Sequence, residues 1–151
     1  MTLPAASMQI RRPRPQADDV SRGFWDASAR GVLAIQRCQQ CQSYQHPPRS
    51  ICRACGATEL AFEPVTGDAR LWGWTVTHHN VLGGFEAAIP YTCLVVELVE
   101  QAEVFLVSDL IGREHLRKGL KAGMPMRVVF PENRGDGPVL PQFEPAEDGA
   151  R

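Results

Sequence analysis

The sequence has no apolar run approaching the roughly 20 residues that a membrane-spanning helix requires, and its first thirty residues lack the continuous apolar centre of a secretory signal. Charge of one sign is also missing. Lys and Arg number 16 against 17 Asp and Glu, a net charge of -1 with a pI of about 6.4, so the molecule has no strong pull toward nucleic acid or an anionic membrane. Ser-His-Asp patterns, Gly-rich phosphate loops and His-Glu-x-x-His motifs are absent too. These absences predict a cytoplasmic protein without a self-sufficient active site. At 151 residues and 44% hydrophobic, the chain can bury one modest core but is short for two ordinary domains.

What charge there is lies unevenly. Residues 1–53 hold eight Arg against three Asp, a balance of +5 that leaves -6 for the remainder and permits an anionic ligand near the amino-terminal third. Four of the five cysteines form two Cys-x-x-Cys knuckles, Cys38 with Cys41 and Cys52 with Cys55, separated by ten residues. In a reducing compartment such pairs read as metal ligands, because a two-residue spacing lets one tight turn present two thiolates to one ion. Four sulfurs close a tetrahedral zinc shell, which leaves no open position for water or substrate and makes the ion structural. A rubredoxin-type iron site uses the same ligands, and a thioredoxin-like redox pair would need a βαβ setting that is not found. His46, between the knuckles, is not needed as a ligand. Cys93 lies in an apolar run and reads as an inert buried side chain.

The chain predicts a mainly β architecture: a Pro- and Arg-rich arm over 1–17, a helix over 18–36, a ribbon over 37–64, a small barrel over 65–145 and a tail over 146–151. In the helix, Val20, Phe24, Trp25, Ala29, Val32 and Leu33 recur at three- and four-residue intervals, with a break expected at Gly31. Extended segments are expected over 59–64, 69–79, 91–99, 103–110 and 126–130, with a hairpin at 100–102 and a short helix over 112–123. An SH3-like barrel remains the competitor to an OB barrel. Trp72 and Trp74 are expected on one face of their strand, in core or interface, with a stacking platform for bases or an adenine ring as the alternative. His78 or His79 could serve as a base, though a loop-edge histidine is the simpler reading.

Several fragments in order resemble a family of zinc-ribbon plus OB-fold proteins, formerly a domain of unknown function, found beside thiolase-like and acyl-CoA enzymes. They are Phe24-Trp25, the stretch from Gly31 to Cys41, Pro47-Pro48-Arg49, Gly73 to Val76, Pro90-Tyr91, Gly123 to Met126 and Leu140 to Phe143. The resemblance implies an N-terminal helix and rubredoxin-like zinc ribbon followed by a small OB-fold barrel. It also implies an accessory subunit of a thiolase-like enzyme, a lipid-transfer-protein-type aldolase or a hydratase in lipid, steroid or polyketide metabolism. A homodimer within such a heteromeric complex is compatible with it. On this reading Phe24 and Trp25 face the partner, while Arg37, Arg49, Trp74 and His78 meet a shared CoA thioester, guanidinium groups pairing with its phosphates. The competing class is a single-stranded nucleic-acid binder, which the acidic barrel half disfavours.

Overall fold

The computed structural model describes residues 13–79, 84, 85, 88–112, 119–131 and 138–146. Helix α1 spans Arg22–Ala29, less than the 18–36 expected. Gly31 takes φ +72, and the amides of Gly31 and Val32 donate to the carbonyls of Ser28 (2.9 Å) and Ala27 (3.0 Å). These crossed bonds are a Schellman motif, which turns the chain out of the helix at a residue with no Cβ to oppose it. The residues beyond it then form a strand, β1 (Ala34–Cys38), which pairs with β2 (Tyr44–Gln45) and β3 (Leu60–Pro64) in a sheet ordered β2-β1-β3.

The second sheet holds β4 (Asp68–Thr77), β5 (Tyr91–Leu98), β6 (Phe105–Asp109), β7 (Pro125–Val129) and β8 (Gln142–Pro145), ordered β6-β5-β4-β7-β8 with every strand pair antiparallel. A parallel bridge between Leu110 and Phe143 draws β6 toward β8 and nearly closes the sheet. A five-stranded, partly open barrel in this order is the OB arrangement rather than the SH3-like one. Of the expected helix over 112–123, residues 113–118 lie outside the described residues and 119–123 are loop and turn rather than helix, with Gly119 and Gly123 at positive φ; the first twelve residues of the arm and most of the tail also lie outside the described residues.

Strand β5 alternates, with Thr92, Leu94, Val96 and Leu98 turned inward and the residues between them turned out. Leu94, Val96 and Leu98 of this set pack with Ala69, Leu71, Leu106, Met126 and Phe143, and the same cluster takes in Phe24, Leu33 and Ile35 from the amino-terminal part. Ribbon and barrel therefore share one core. Polar ties reinforce the junction: the Gln101 side chain accepts from the Tyr44 amide (2.7 Å) and donates to its carbonyl (3.1 Å), while Glu100 accepts from the amide and hydroxyl of Thr66 at 2.7 Å each. The expected hairpin turn thus doubles as a clamp on β2.

Two expectations fail for one reason, the two-residue period of a strand. The register moves from Leu71 opposite Val96 to Gly73 opposite Val95, so Trp72 is the extra residue of a β-bulge. One inserted residue exchanges the faces, and Trp72 and Trp74 do not share one. Trp72 meets Phe105 on the outer face at 5.1 Å between ring centroids, whereas Trp74 stands opposite the inward-facing Leu94. Neither is a core residue, with 62% and 42% of their surfaces exposed. Cys93 likewise is half-buried, not buried, because it sits at an outward position of β5.

Phe143 is fully buried and joins β6, β7 and β8, since its carbonyl also accepts from the Ile111 amide at 3.0 Å. Phe143→Ala is expected to destabilise the fold by about 3–5 kcal/mol, read as a lowered urea midpoint with a similar slope.

Candidate metal centre and adjoining groove

Both knuckles are set by local geometry. Cys38 ends β1, and the chain turns back through Gln42 at φ +64, whose amide donates to the Cys38 carbonyl at 2.9 Å. The second knuckle ends at Gly56 with φ +77, whose amide donates to the Cys52 carbonyl at 2.9 Å. The two turns repeat one design, with a left-handed residue after each cysteine pair. The sulfurs of all four cysteines lie within 4.8 Å of one another, and Cys38 to Cys55 and Cys41 to Cys52 are each 3.6 Å apart. A tetrahedron of sulfurs about 2.3 Å from a zinc ion has edges of about 3.8 Å, so the donor set fits.

Electrostatics agree. The Cys55 amide is the main group that brings the Cys52 thiol down to about 6, with the Ser43 hydroxyl and Ala54 amide assisting. Cys55 is drawn down by the Ala57 amide, yet desolvation and the sulfurs of Cys41 and Cys38 push it up to about 12. Four neighbouring thiolates cannot all carry charge unaided, and a divalent cation removes that conflict.

A network that the sequence reading missed fixes the loop between the knuckles. Gln36 and Gln45, both buried, face each other, and the Gln45 amide donates to Gln36 Oε1 at 2.6 Å. Gln36 also accepts from the Arg49 amide (2.9 Å) and donates to its carbonyl (3.0 Å), while Gln45 accepts from the Arg53 amide (2.9 Å). Two glutamine side chains thus supply the backbone partners that this irregular loop cannot find in a sheet. Their signal in sequence was faint: polar residues alternating on β1 and β2.

Beside this loop lies a groove of about 520 Å³ between α1, the loop and the barrel, with Phe24, Trp25, Pro47, Pro48, Val107 and Leu140 among its lining residues. Of the two residues expected to face a partner, Phe24 is buried and forms part of the groove floor, and Trp25 is partly buried beside it, 4.9 Å away edge to face. His46 also lines the groove, its ring 5.3 Å from that of Phe24, and burial brings its pKa down to about 4. It is neutral at neutral pH. Cys93 is on the same wall, and burial together with the Asp109 carboxylate pushes its thiol up, so it is a poor nucleophile.

The four residues expected at CoA are not gathered in this groove. Arg37 on β1 is committed: its guanidinium pairs with Glu63 at 2.8 Å, donates to the Gln42 carbonyl at 2.9 Å and lies 4.9 Å from the Tyr44 ring. Arg49 is exposed on the clasped loop, and its guanidinium bonds to no described residue. Trp74 lies on β4 and His78 just beyond it, exposed like His79.

Comparison with known proteins matches residues 25–61 to the rubredoxin-like zinc ribbon domain of ChsH2 and residues 62–131 to the C-terminal OB-fold domain of ChsH2. The chain resembles a probable enoyl-CoA hydratase alpha subunit of Thermomonospora curvata, at 32% identity over 136 residues, which covers 89% of this chain and 40% of that protein. It therefore spans about two fifths of that relative. A DUF35 domain-containing scaffold protein of Pyrococcus furiosus is 29% identical over 94 residues, 62% of this chain and 68% of the relative. Among solved structures, a chain of an Ltp2-ChsH2(DUF35) aldolase superposes with a TM-score of 0.75 at 29% identity, covering 87% of this chain and 98% of that one. A DUF35-family protein of Sulfolobus solfataricus, 14% identical with a TM-score of 0.56, shares the fold over 85% of this chain and 86% of its own.

One zinc ion per chain is expected by elemental analysis. Cys52→Ala should retain less than about a tenth of it and lose the ribbon's protection from proteolysis, since ligand binding and folding are coupled in such sites.

Proposed function

The chain belongs to the ChsH2 family of zinc-ribbon plus OB-fold proteins, and from that premise we propose that it is an accessory subunit that binds and supports a thiolase-like partner acting on CoA thioesters. The observation that carries this reading is the likeness, over 87% of this chain, to a chain of an Ltp2-ChsH2(DUF35) aldolase. The site chemistry agrees. A four-thiolate metal centre offers no open coordination position. Cys93, the thiol outside the metal set, is a poor nucleophile because burial and the Asp109 carboxylate push its pKa up, and His78 and His79 are exposed at the end of β4. A lyase, transferase or hydratase step would then lie in the partner, with this chain positioning it and helping to enclose the CoA arm.

For that arm, Arg49 is the better candidate of the two arginines. Among the described residues its guanidinium has no partner, and its backbone is locked by Gln36, so a phosphate could be met at little cost in order. Arg37 would first have to leave Glu63. The partly exposed Trp74 and exposed His78 are proposed to flank the ligand from the barrel side.

Acyl-CoA turnover is expected from the complex with a thiolase-like subunit and not from the isolated chain; turnover by the chain alone would sink the accessory reading. In titration calorimetry of CoA into the complex, Arg49→Ala should weaken binding by about tenfold, the loss of a charge-assisted phosphate contact. Arg37→Ala should leave CoA affinity near wild type and lower the ribbon's thermal stability instead.

A further inference from the structure

Strand β6 is the outer strand of its sheet, and register fixes which of its backbone groups face outward. The Leu98 amide donates to the Val104 carbonyl (3.0 Å) and the Leu110 amide to the Thr92 carbonyl (2.9 Å), which marks residues 104 and 110 as hydrogen-bonded positions against β5. Such positions alternate in an antiparallel pair. Leu106 and Ser108 therefore bond to β5, while Phe105 and Val107 turn their N–H and C=O groups away from it, toward the seam with β8.

That seam is open on this side. Strand β8 reaches β6 at the Leu110–Phe143 bridge, and the preceding residues swing away to α1, where the Ser28 hydroxyl donates to the Val139 carbonyl. Among the described residues the Ser108 hydroxyl ties β6 to this stretch by donating to the Pro141 carbonyl at 2.6 Å. Among the described residues nothing pairs with the backbone groups of Phe105 and Val107. Free edges are ordinarily blunted by charged side chains, Pro or a bulge, and along β6 the one such feature is Asp109 at its end, leaving Phe105 and Val107 without one. Val107 is instead 72% exposed and lines the apolar groove, with Leu140 opposite at 43%.

The surroundings select the visitor by charge. The hairpin from 91 to 112 carries Glu97, Glu100, Glu103 and Asp109 and no Lys, Arg or His. We infer that the outer edge of β6 accepts an extended segment of the partner subunit as an added strand, its alternate apolar side chains entering the groove and its basic residues meeting the acidic hairpin. This rests on the accessory reading for the identity of the partner. An acyl chain or a helix could fill the groove but would leave the strand's donors and acceptors unmatched, whereas an extended backbone matches them.

The probe is a blocked octapeptide of alternating valine and lysine, followed by fluorescence anisotropy against the full chain. Two variants of the peptide serve as controls, one N-methylated on the residues of one edge and one with glutamate replacing lysine. Val107→Pro removes an outward N–H without touching the bonds to β5 and is tolerated at such a position, while Val107→Thr keeps both backbone groups. The octapeptide should bind wild type and Val107→Thr alike, and should weaken by about tenfold on N-methylation, on the charge change, or against Val107→Pro with its zinc content and melting temperature retained. Equal binding by folded Val107→Pro, or no binding by wild type, overturns the edge assignment but leaves the turnover test of the accessory role untouched. A wild-type dimer in sedimentation that Val107→Pro converts to monomer overturns it as well, in favour of a second copy.

Discussion

Four sulfurs converging within 4.8 Å are the constraint from which the amino-terminal half takes its form. The ribbon's strands are short, five, two and five residues, and its loop between the knuckles is irregular. Such a piece cannot bury enough apolar surface to offset its own ordering, and a metal ion supplies the missing stabilisation. The ion ties the turn after β1 to the turn after Cys52. The Gln36–Gln45 pair then holds the intervening loop to the sheet, so the backbone of Pro47, Pro48 and Arg49 is placed by two independent restraints.

The second constraint is that this ribbon does not stand apart. Phe24, Leu33 and Ile35 belong to the same buried cluster as the barrel's Leu94, Leu106 and Phe143, and Gln101 reaches from the β5–β6 turn to both backbone groups of Tyr44. Ordering the metal site therefore also orders the wall of the groove formed by α1 and the loop. A change at the cysteines would be felt at the groove without any residue there being touched, because both depend on one packed body.

Much of this was legible beforehand, for identifiable reasons. The knuckle spacing declared the metal centre, because few other chemistries require two pairs of thiols so placed. The strands of the barrel showed themselves through β-branched and alternating residues, and the break in the helix through Gly31, a glycine set within the apolar period. What stayed hidden depended on register and on distant partners. A bulge at Trp72 inserts one residue and reverses the faces beyond it, and nothing in Leu-Trp-Gly-Trp marks which residue will be extra. Strand β1 was concealed because a Schellman turn, not a change in hydrophobicity, separates helix from strand. The commitment of Arg37 to Glu63 joins residues 26 apart, a pairing that only the β1–β3 register creates.

The division between committed and uncommitted groups is what gives the molecule its functional character. Among the described residues several titratable groups are spent internally: Arg37 on Glu63, Arg127 on Glu144, and the four thiols on each other, while the thiol of Cys93 is pushed up by burial and Asp109. Other exposed groups suit contact with a partner. They are the rings of Trp72 and Trp74, the isopropyl group of Val107, the guanidinium of Arg49 and the backbone edge of β6. Catalysis requires paired, tuned titratable groups in one cleft, whereas association requires apolar area, free hydrogen-bonding edges and unpaired charge at a rim. On the accessory reading the second inventory is the one that matters, and around the seam held at Leu110–Phe143 the described residues display it.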